Sequence, residues 1–270
     1  MATTGTVAQM FDALREEEES LYGQTRKLLG ESFCLVEDLL NLYDVFLKLS
    51  VKPVAKLDDA ERLAPMLHCL QWMKNEAITA VLTMMRGHIA DSSNYTRRAI
   101  EIAAFVAYMF KNGDAAKRWM AAGASDEARK EYVKSFMAYK IVKQELTPYL
   151  IGNYEDYCLD VHPSFFGCVN RASLDEDYVH RFAQFDLSPT DGYQTFFVSN
   201  FLRALVCHAK LMEHLTTVFY SSGHFDAETW TAAYLPFVQK FQIIDQYWRP
   251  FFADHFARTY GEEMTHEPSP

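Results

Sequence analysis

Apolar residues recur along most of this chain at intervals of three and four, the spacing that places them on one face of an α-helix. The pattern is most regular over residues 192–221, where seven positions form a continuous core-facing seam. These positions are Phe197, Phe201, Ala204, His208, Leu211, Leu215 and Val218. Comparable stripes predict further helices over residues 1–29, 31–50, 60–90, 114–122, 125–145, 147–161, 226–250 and 251–260. No stretch alternates apolar and polar residues long enough to predict a sheet, so the fold class is all-α.

One further helix, near residues 95–112, differs from the others in being apolar all round. Between Ala99 and Phe110 the only charged residue is Glu101. A helix without a polar face is typical of the middle of a protein. We therefore expect a multi-helix bundle of about eight to ten helices arranged around this central helix. The polar run at residues 91–94 is rich in helix-capping residues and predicts a break just before it.

The connections between the predicted helices indicate a single domain. They are short, except for residues 162–191, which Pro163, Gly167 and Pro189 interrupt. We interpret this segment as a long ordered loop with one helical turn near residues 176–185; such loops are often functional. The prediction is one α-helical domain over residues 1–261, followed by a polar and disordered tail at residues 262–270.

The composition and charge of the chain limit the binding partners and the cellular compartment that can be expected for it. The chain of 270 residues is 49% hydrophobic and carries a formal net charge of −10, which disfavours non-specific binding to nucleic acids. The longest apolar run, Ile102 to Phe110, is far shorter than a membrane span requires, so no membrane association is expected. The five cysteines are odd in number, form no CxxC pair and lie in apolar runs. With no secretory signal at the start, they indicate a cytoplasmic protein.

Glu101 is the first candidate for chemistry, because a buried carboxylate needs a partner or a proton. Arg97 and Arg98 precede it by four and three residues, spacings that place a guanidinium beside it on one helix face. One interpretation is a purely structural ion pair, and the other is a polar ligand site. If a hairpin turns at residues 91–94, His88 would lie level with the two arginines, as a core histidine or as part of that site.

Other polar candidates are less specific. His162-Pro163-Ser164 opens the long loop, but a histidine beside a serine is no evidence for a catalytic triad, which is a spatial arrangement. His208 lies on the core seam and would need partners to act as a ligand. No HExxH motif, no zinc-type cysteine set and no glycine-rich phosphate loop occurs. The sequence therefore predicts no metal and no cofactor.

Starting at Arg97-Arg98-Ala99-Ile100-Glu101, the chain resembles a bacterial family of uncharacterised all-helical proteins, which are distantly similar to the HEPN helical group. The family pattern is an Arg-x-x-x-Glu on a central apolar helix, a later arginine, and a His-Pro-Ser-like turn. The resemblance covers about residues 80–220 and assigns Arg118 as the later arginine and His162 with Ser164 as the turn. The ligand-site interpretation predicts that Arg97, Glu101, Arg118 and His162 meet in one cavity.

The HEPN resemblance also implies a catalytic alternative, since many members are metal-independent ribonucleases that use Arg-x4-6-His on one helix across a dimer. Arg203 and His208 have this spacing, although Ala204 departs from the polar residue expected after the arginine. Two function classes thus remain. One is a non-catalytic helical protein that binds an unidentified protein or small molecule at the polar cluster. The other is a ribonuclease, possible as a homodimer, which requires Arg203 and His208 to line an open groove.

Overall fold

The structure is a computed structural model that describes residues 7–57, 60–161, 172–174, 180–182 and 191–260, and it confirms the all-α class. In these ranges a short 3₁₀ turn at Gly30–Phe33 and a two-stranded sheet accompany the α-helices. The α-helices are α1 (Val7–Leu29), α2 (Cys34–Ala55), α3 (Ala60–Met85), α4 (Ile89–Lys111), α5 (Gly113–Ala121), α6 (Asp126–Ser135), α7 (Ala138–Glu145), α8 (Pro148–Val161), α9 (Asp191–Tyr220) and α10 (Ala227–Tyr260). None of the helices in the described part is long and apolar enough to cross a bilayer.

Helix α4 lies at the centre of the bundle, as the apolar pattern predicts. It packs most extensively against α3 and also contacts α5, α7, α8 and α9. Fourteen of its 23 residues are buried, so neighbouring helices cover most of its circumference. Small side chains at Ala77 on α3 and at Ala103 and Ala107 on α4 are fully buried and leave room for close packing of neighbouring helices. The buried apolar residues of the bundle form one continuous core.

The turn between α3 and α4 is not where the capping residues predicted it. Residues 91–94 lie inside α4, and Ser92 and Ser93 are buried there. The chain turns instead at residues 86–88, where Gly87 has a φ of +90°. A side chain would strain this conformation, so glycine is the residue that allows the turn. The backbone N–H of Gly87 donates to the carbonyl of Met84 at 2.8 Å, which closes the turn.

Three other boundaries also differ from the prediction. The predicted helix over residues 125–145 is divided into α6 and α7, because the backbone at Phe136 leaves the helical region with φ −106° and ψ 78°. Conversely, α10 continues through Pro250, where a separate last helix was expected. The predicted helical turn near residues 176–185 is wrong at residues 180–182. There the backbone pairs antiparallel as strand β2 (His180–Phe182) with β1 (Ala172–Leu174).

The seam on α9 is confirmed position by position. All seven of its predicted residues, from Phe197 to Val218, are buried. Helix α9 contacts α2, α3, α4, α8 and α10. Phe46 of α2 stacks on Phe219 of α9 with ring centroids 6.1 Å apart, and it meets Trp230 of α10 edge to face at 5.7 Å. These aromatic contacts join α2, α9 and α10.

Candidate functional site

His88 stands apart from the arginines of the predicted cluster. Because the chain turns at Gly87, His88 precedes the first residue of α4 rather than facing Arg97 from a neighbouring helix. Nine residues of α-helix separate the two by about 13 Å along the axis. The Nε2 atom of His88 lies 3.0 Å from Oε1 of Glu18 on α1. His88 therefore connects α1 to the α3–α4 hairpin, and the prediction that it lies level with the arginines is wrong.

Arg98 pairs with Glu76 of α3 and not with Glu101. Its Nη2 atom lies 2.9 Å from Oε1 of Glu76, and the indole N–H of Trp72 donates to the same oxygen. The guanidinium also lies over the Trp72 ring, 5.5 Å from the centroid. Burial raises the pKa of Glu76, while Arg98 and the Trp72 hydrogen bond oppose that rise. The i, i+4 spacing of Trp72 and Glu76 is the one local signal in the sequence that marks this group.

Replacing Arg98 by methionine is expected to lower the free energy of unfolding by about 1–2 kcal/mol, because Glu76 remains buried without its cation. The loss should shrink in acid, where Glu76 binds a proton and the uncompensated charge disappears. Urea unfolding at two pH values measures both effects. Arg129→Met is the matched control, since Arg129 pairs with Asp126 on the exposed surface of α6 and should contribute almost nothing. Equal losses in both variants would contradict the assignment.

Glu101 is held by Arg97 and by a tyrosine that the sequence did not indicate. The Tyr154 hydroxyl of α8 donates to Oε1 at 3.0 Å, and Nε of Arg97 lies 4.0 Å from the same oxygen. Burial, and then the charge of Glu101, raises the pKa of Tyr154, so this phenol stays a neutral donor. The Glu101 side chain is 27% exposed. The Glu101 carboxylate is thus oriented on one side and open on the other.

The open side of Glu101 faces an aromatic pocket. The pocket has a volume of about 590 Å³, including the space at its mouth, and is open to solvent. Its walls come from α3, α4, α5, α6, α7 and Phe136, which lies in the break between α6 and α7. The lining residues are Cys69, Trp72, Glu101, Ile102, Phe105, Trp119, Tyr132, Phe136, Ala138 and Ile141. Glu101 is the one ionic side chain in this lining.

Three of the rings form a corner. The Phe105 ring meets Phe136 at 5.3 Å and 88°, and it meets Tyr132 at 6.4 Å and 85°. Tyr132 and Phe136 stack on each other at 4.5 Å, so together they make the wall perpendicular to Phe105. The break between α6 and α7 is what places the Phe136 ring here. This corner is fixed by ring packing and does not require a ligand to form.

The neutral polar groups of the pocket resist ionisation. Burial raises the pKa of the Cys69 thiol to about 12, and burial is also the main reason that the pKa of the Tyr132 hydroxyl rises to about 12. At neutral pH both groups keep their protons. The pocket therefore carries a single negative charge, on Glu101.

The chain matches no protein-family model, no curated protein and no solved structure. The site is thus defined by its own geometry. Of the predicted cluster, Arg97 and Glu101 come together. Arg118 is exposed on α5, where the neighbouring Trp119 is the residue that lines the pocket. His162 and Ser164 lie outside the described residues.

Arg203 and His208 do not share a groove. Arg203 donates to Asn153 at 2.9 Å and to Asp156 at 2.6 Å, and it lies 4.6 Å from the centroid of the Tyr157 ring, all on α8. His208 is fully buried, with Nδ1 2.9 Å from the Tyr43 hydroxyl of α2. Burial lowers the pKa of His208 to about 3. The arrangement that the ribonuclease alternative requires is therefore absent from the described structure of this chain.

No group of three His, Cys, Asp or Glu side chains converges as a metal site among the residues that the structure describes. At the pocket, the polar groups that come together are the carboxylate of Glu101 and its two partners, Tyr154 and Arg97. The rings around them were not predicted, because they come from α3, α4, α5 and the end of α6, which only the complete fold brings together.

Proposed function

We propose that this protein binds a small molecule in the aromatic pocket beside Glu101 and acts by binding rather than by catalysis. The observation that carries the proposal is a part-exposed carboxylate, oriented by Tyr154, at the wall of an open pocket lined mainly by aromatic and apolar side chains. Binding sites for small molecules are typically apolar clefts with a few fixed polar groups. The pocket has that composition, with nine uncharged lining residues and one carboxylate.

The chemistry of the lining supports binding over catalysis. Covalent catalysis needs a nucleophile that an adjacent base or a lowered pKa activates. The thiol of Cys69 is the strongest nucleophile by type in this lining, but its raised pKa keeps it protonated. Glu101 already accepts the hydrogen bond of Tyr154 and lies beside Arg97, and these contacts hold its carboxylate in a fixed position. These features fit recognition of a ligand.

A substitution at the mouth of the pocket tests the proposal. Ala138 is exposed, lines the pocket and begins α7. A tryptophan at this position should fill the mouth without disturbing the core. We expect fragments that bind the wild-type protein to lose at least about tenfold in affinity for Ala138→Trp, as measured by ligand-observed NMR on a fragment library.

Ala232→Trp is the matched control, because Ala232 is exposed on α10 and does not line the pocket. This variant should bind the same fragments as the wild-type protein. If fragments bind Ala138→Trp as tightly as they bind the control, or if none binds the wild-type protein, the proposed function is wrong.

A further inference from the structure

The charge of Glu101 is only partly balanced by its neighbours. The 4.0 Å between Oε1 and Nε of Arg97 exceeds hydrogen-bond distance, and that nitrogen is buried with no hydrogen-bond partner in the described structure. Tyr154 is neutral, and it donates to the same oxygen, Oε1. The second oxygen, Oε2, receives no hydrogen bond from the described residues. A ligand that enters the pocket meets a carboxylate oxygen that is free to pair with a positive charge.

Covering this carboxylate with a ligand has a cost that depends on the charge of the ligand. A neutral apolar molecule would remove water from Glu101 and return no interaction, which is unfavourable for an ionised group. An anion would add repulsion within the same pocket. A cation compensates the lost hydration with a direct ion pair. Since no lysine or arginine is among the lining residues, nothing in the lining competes for that place.

The aromatic walls favour the same sign of charge. The face of an aromatic ring carries partial negative charge and attracts cations within about 6 Å of its centroid. The guanidinium of Arg98 already covers one face of Trp72, 5.5 Å from its centroid, so the rings available to a ligand are those of Phe105, Tyr132 and Phe136. Phe105 and the Tyr132–Phe136 pair add walls at right angles to each other. Rings on several sides of one space are the arrangement that proteins use to bind ammonium groups.

From the lone carboxylate and the perpendicular aromatic walls, we infer that the ligand of this pocket is a small organic ammonium cation. The inference rests on the proposed binding function and names its ligand class. The ammonium group lies against the rings beside Oε2 of Glu101, and the apolar remainder of the molecule occupies the space toward Ile141 and Ala138. Tyr154 and Arg97 act as positioning residues that hold Oε1 and so direct the carboxylate.

Two probes of the same shape and different charge test the inference. Benzyltrimethylammonium is a cation, and neopentylbenzene is its uncharged isostere with carbon in place of nitrogen. Dissociation constants are measured from the indole N–H resonances of Trp72 and Trp119 in isotope-labelled protein. We expect the wild-type protein to bind the cation about tenfold or more tightly than the isostere. This comparison needs no variant, so it is independent of any folding defect.

Glu101→Gln provides the second arm, because glutamine can still accept the Tyr154 hydrogen bond but carries no charge. We expect it to weaken binding of the cation by about tenfold and to leave the isostere within about twofold. Glu131→Gln makes the same change on the exposed surface of α6 and should alter neither affinity.

The possible failures are distinguishable. If the wild-type protein binds the isostere as tightly as the cation, and Glu101→Gln changes neither, the ligand class is wrong while the pocket function stands. Binding of neither probe overturns the ligand class. If the fragment library also gives no ligand that Ala138→Trp excludes, the proposed function is wrong as well.

Discussion

Lowering the pH from about 7 to about 5 is expected to reduce the free energy of unfolding by about 2 kcal/mol through His208 alone. His208 has a folded-state pKa of about 3, and an unfolded histidine has a pKa of about 6.5. Below about pH 6.5 the unfolded chain therefore binds a proton that the folded chain excludes. The stabilisation is complete above that pH and falls continuously as the pH drops toward about 3. Urea unfolding followed by circular dichroism at each pH measures the slope.

The double variant Tyr43→Phe/His208→Leu identifies the source of that slope. It removes both buried polar partners together, which avoids leaving one of them unsatisfied. Its unfolding free energy should depend less on pH than that of the wild-type protein by about 2 kcal/mol over the same interval. If the double variant keeps the wild-type slope, other titrating groups dominate and the role given to His208 is wrong. His214, whose pKa burial also lowers, is the first of those to examine.

Phe46→Ala is expected to lower the free energy of unfolding by about 3–5 kcal/mol, one of the largest effects of a single substitution in this chain. Phe46 is fully buried between Phe219 and Trp230, so truncation loses apolar burial and leaves a cavity where three helices meet. Chemical denaturation with a two-state fit measures the loss. It should appear as a lower midpoint, with the denaturant dependence unchanged.

Phe11→Ala is the matched control, because the same residue type is 67% exposed on α1. Its substitution should change stability by no more than about 0.5 kcal/mol. A similar loss in both variants would contradict the position of Phe46 in the core, or would show that α1 buries Phe11 against a partner in solution.

The periodicity of apolar residues predicted the core well because burial acts on every helix in the same way. The α9 seam and the apolar α4 were both found from spacing alone. The turn at Gly87 was missed because residues 91–94 carry stronger capping residues than the true turn does. Ser92 and Ser93 are instead buried inside the bundle, and Thr96 donates to the carbonyl of Ser92 at 3.2 Å. Capping preference is a local property, and tertiary packing overrode it here.

Only the part of the candidate site that lies on a single helix was predictable from the sequence. Glu101 stood out as a lone charge, and its i, i+4 spacing identified Arg97. Tyr154 and Trp119 come from helices whose position depends on the whole fold, and no local pattern marks them. For the same reason Arg98 was assigned to the nearer carboxylate in sequence, although the structure pairs it with Glu76 on α3. The resemblance to the uncharacterised helical family remains a prediction.

The residues around the break at Phe136 shape the pocket, whereas the residues that pack the central helices together lie mainly elsewhere in the chain. Helix α4 packs against α3, α7, α8 and α9, whereas Tyr132, Phe136 and Ala138, around the break between α6 and α7, line the pocket without being fully buried. Substitutions at these three positions can therefore alter the shape of the pocket with little change in the packing of the central helices. Selection can in this way adjust ligand preference within a short stretch of chain, at little risk to folding.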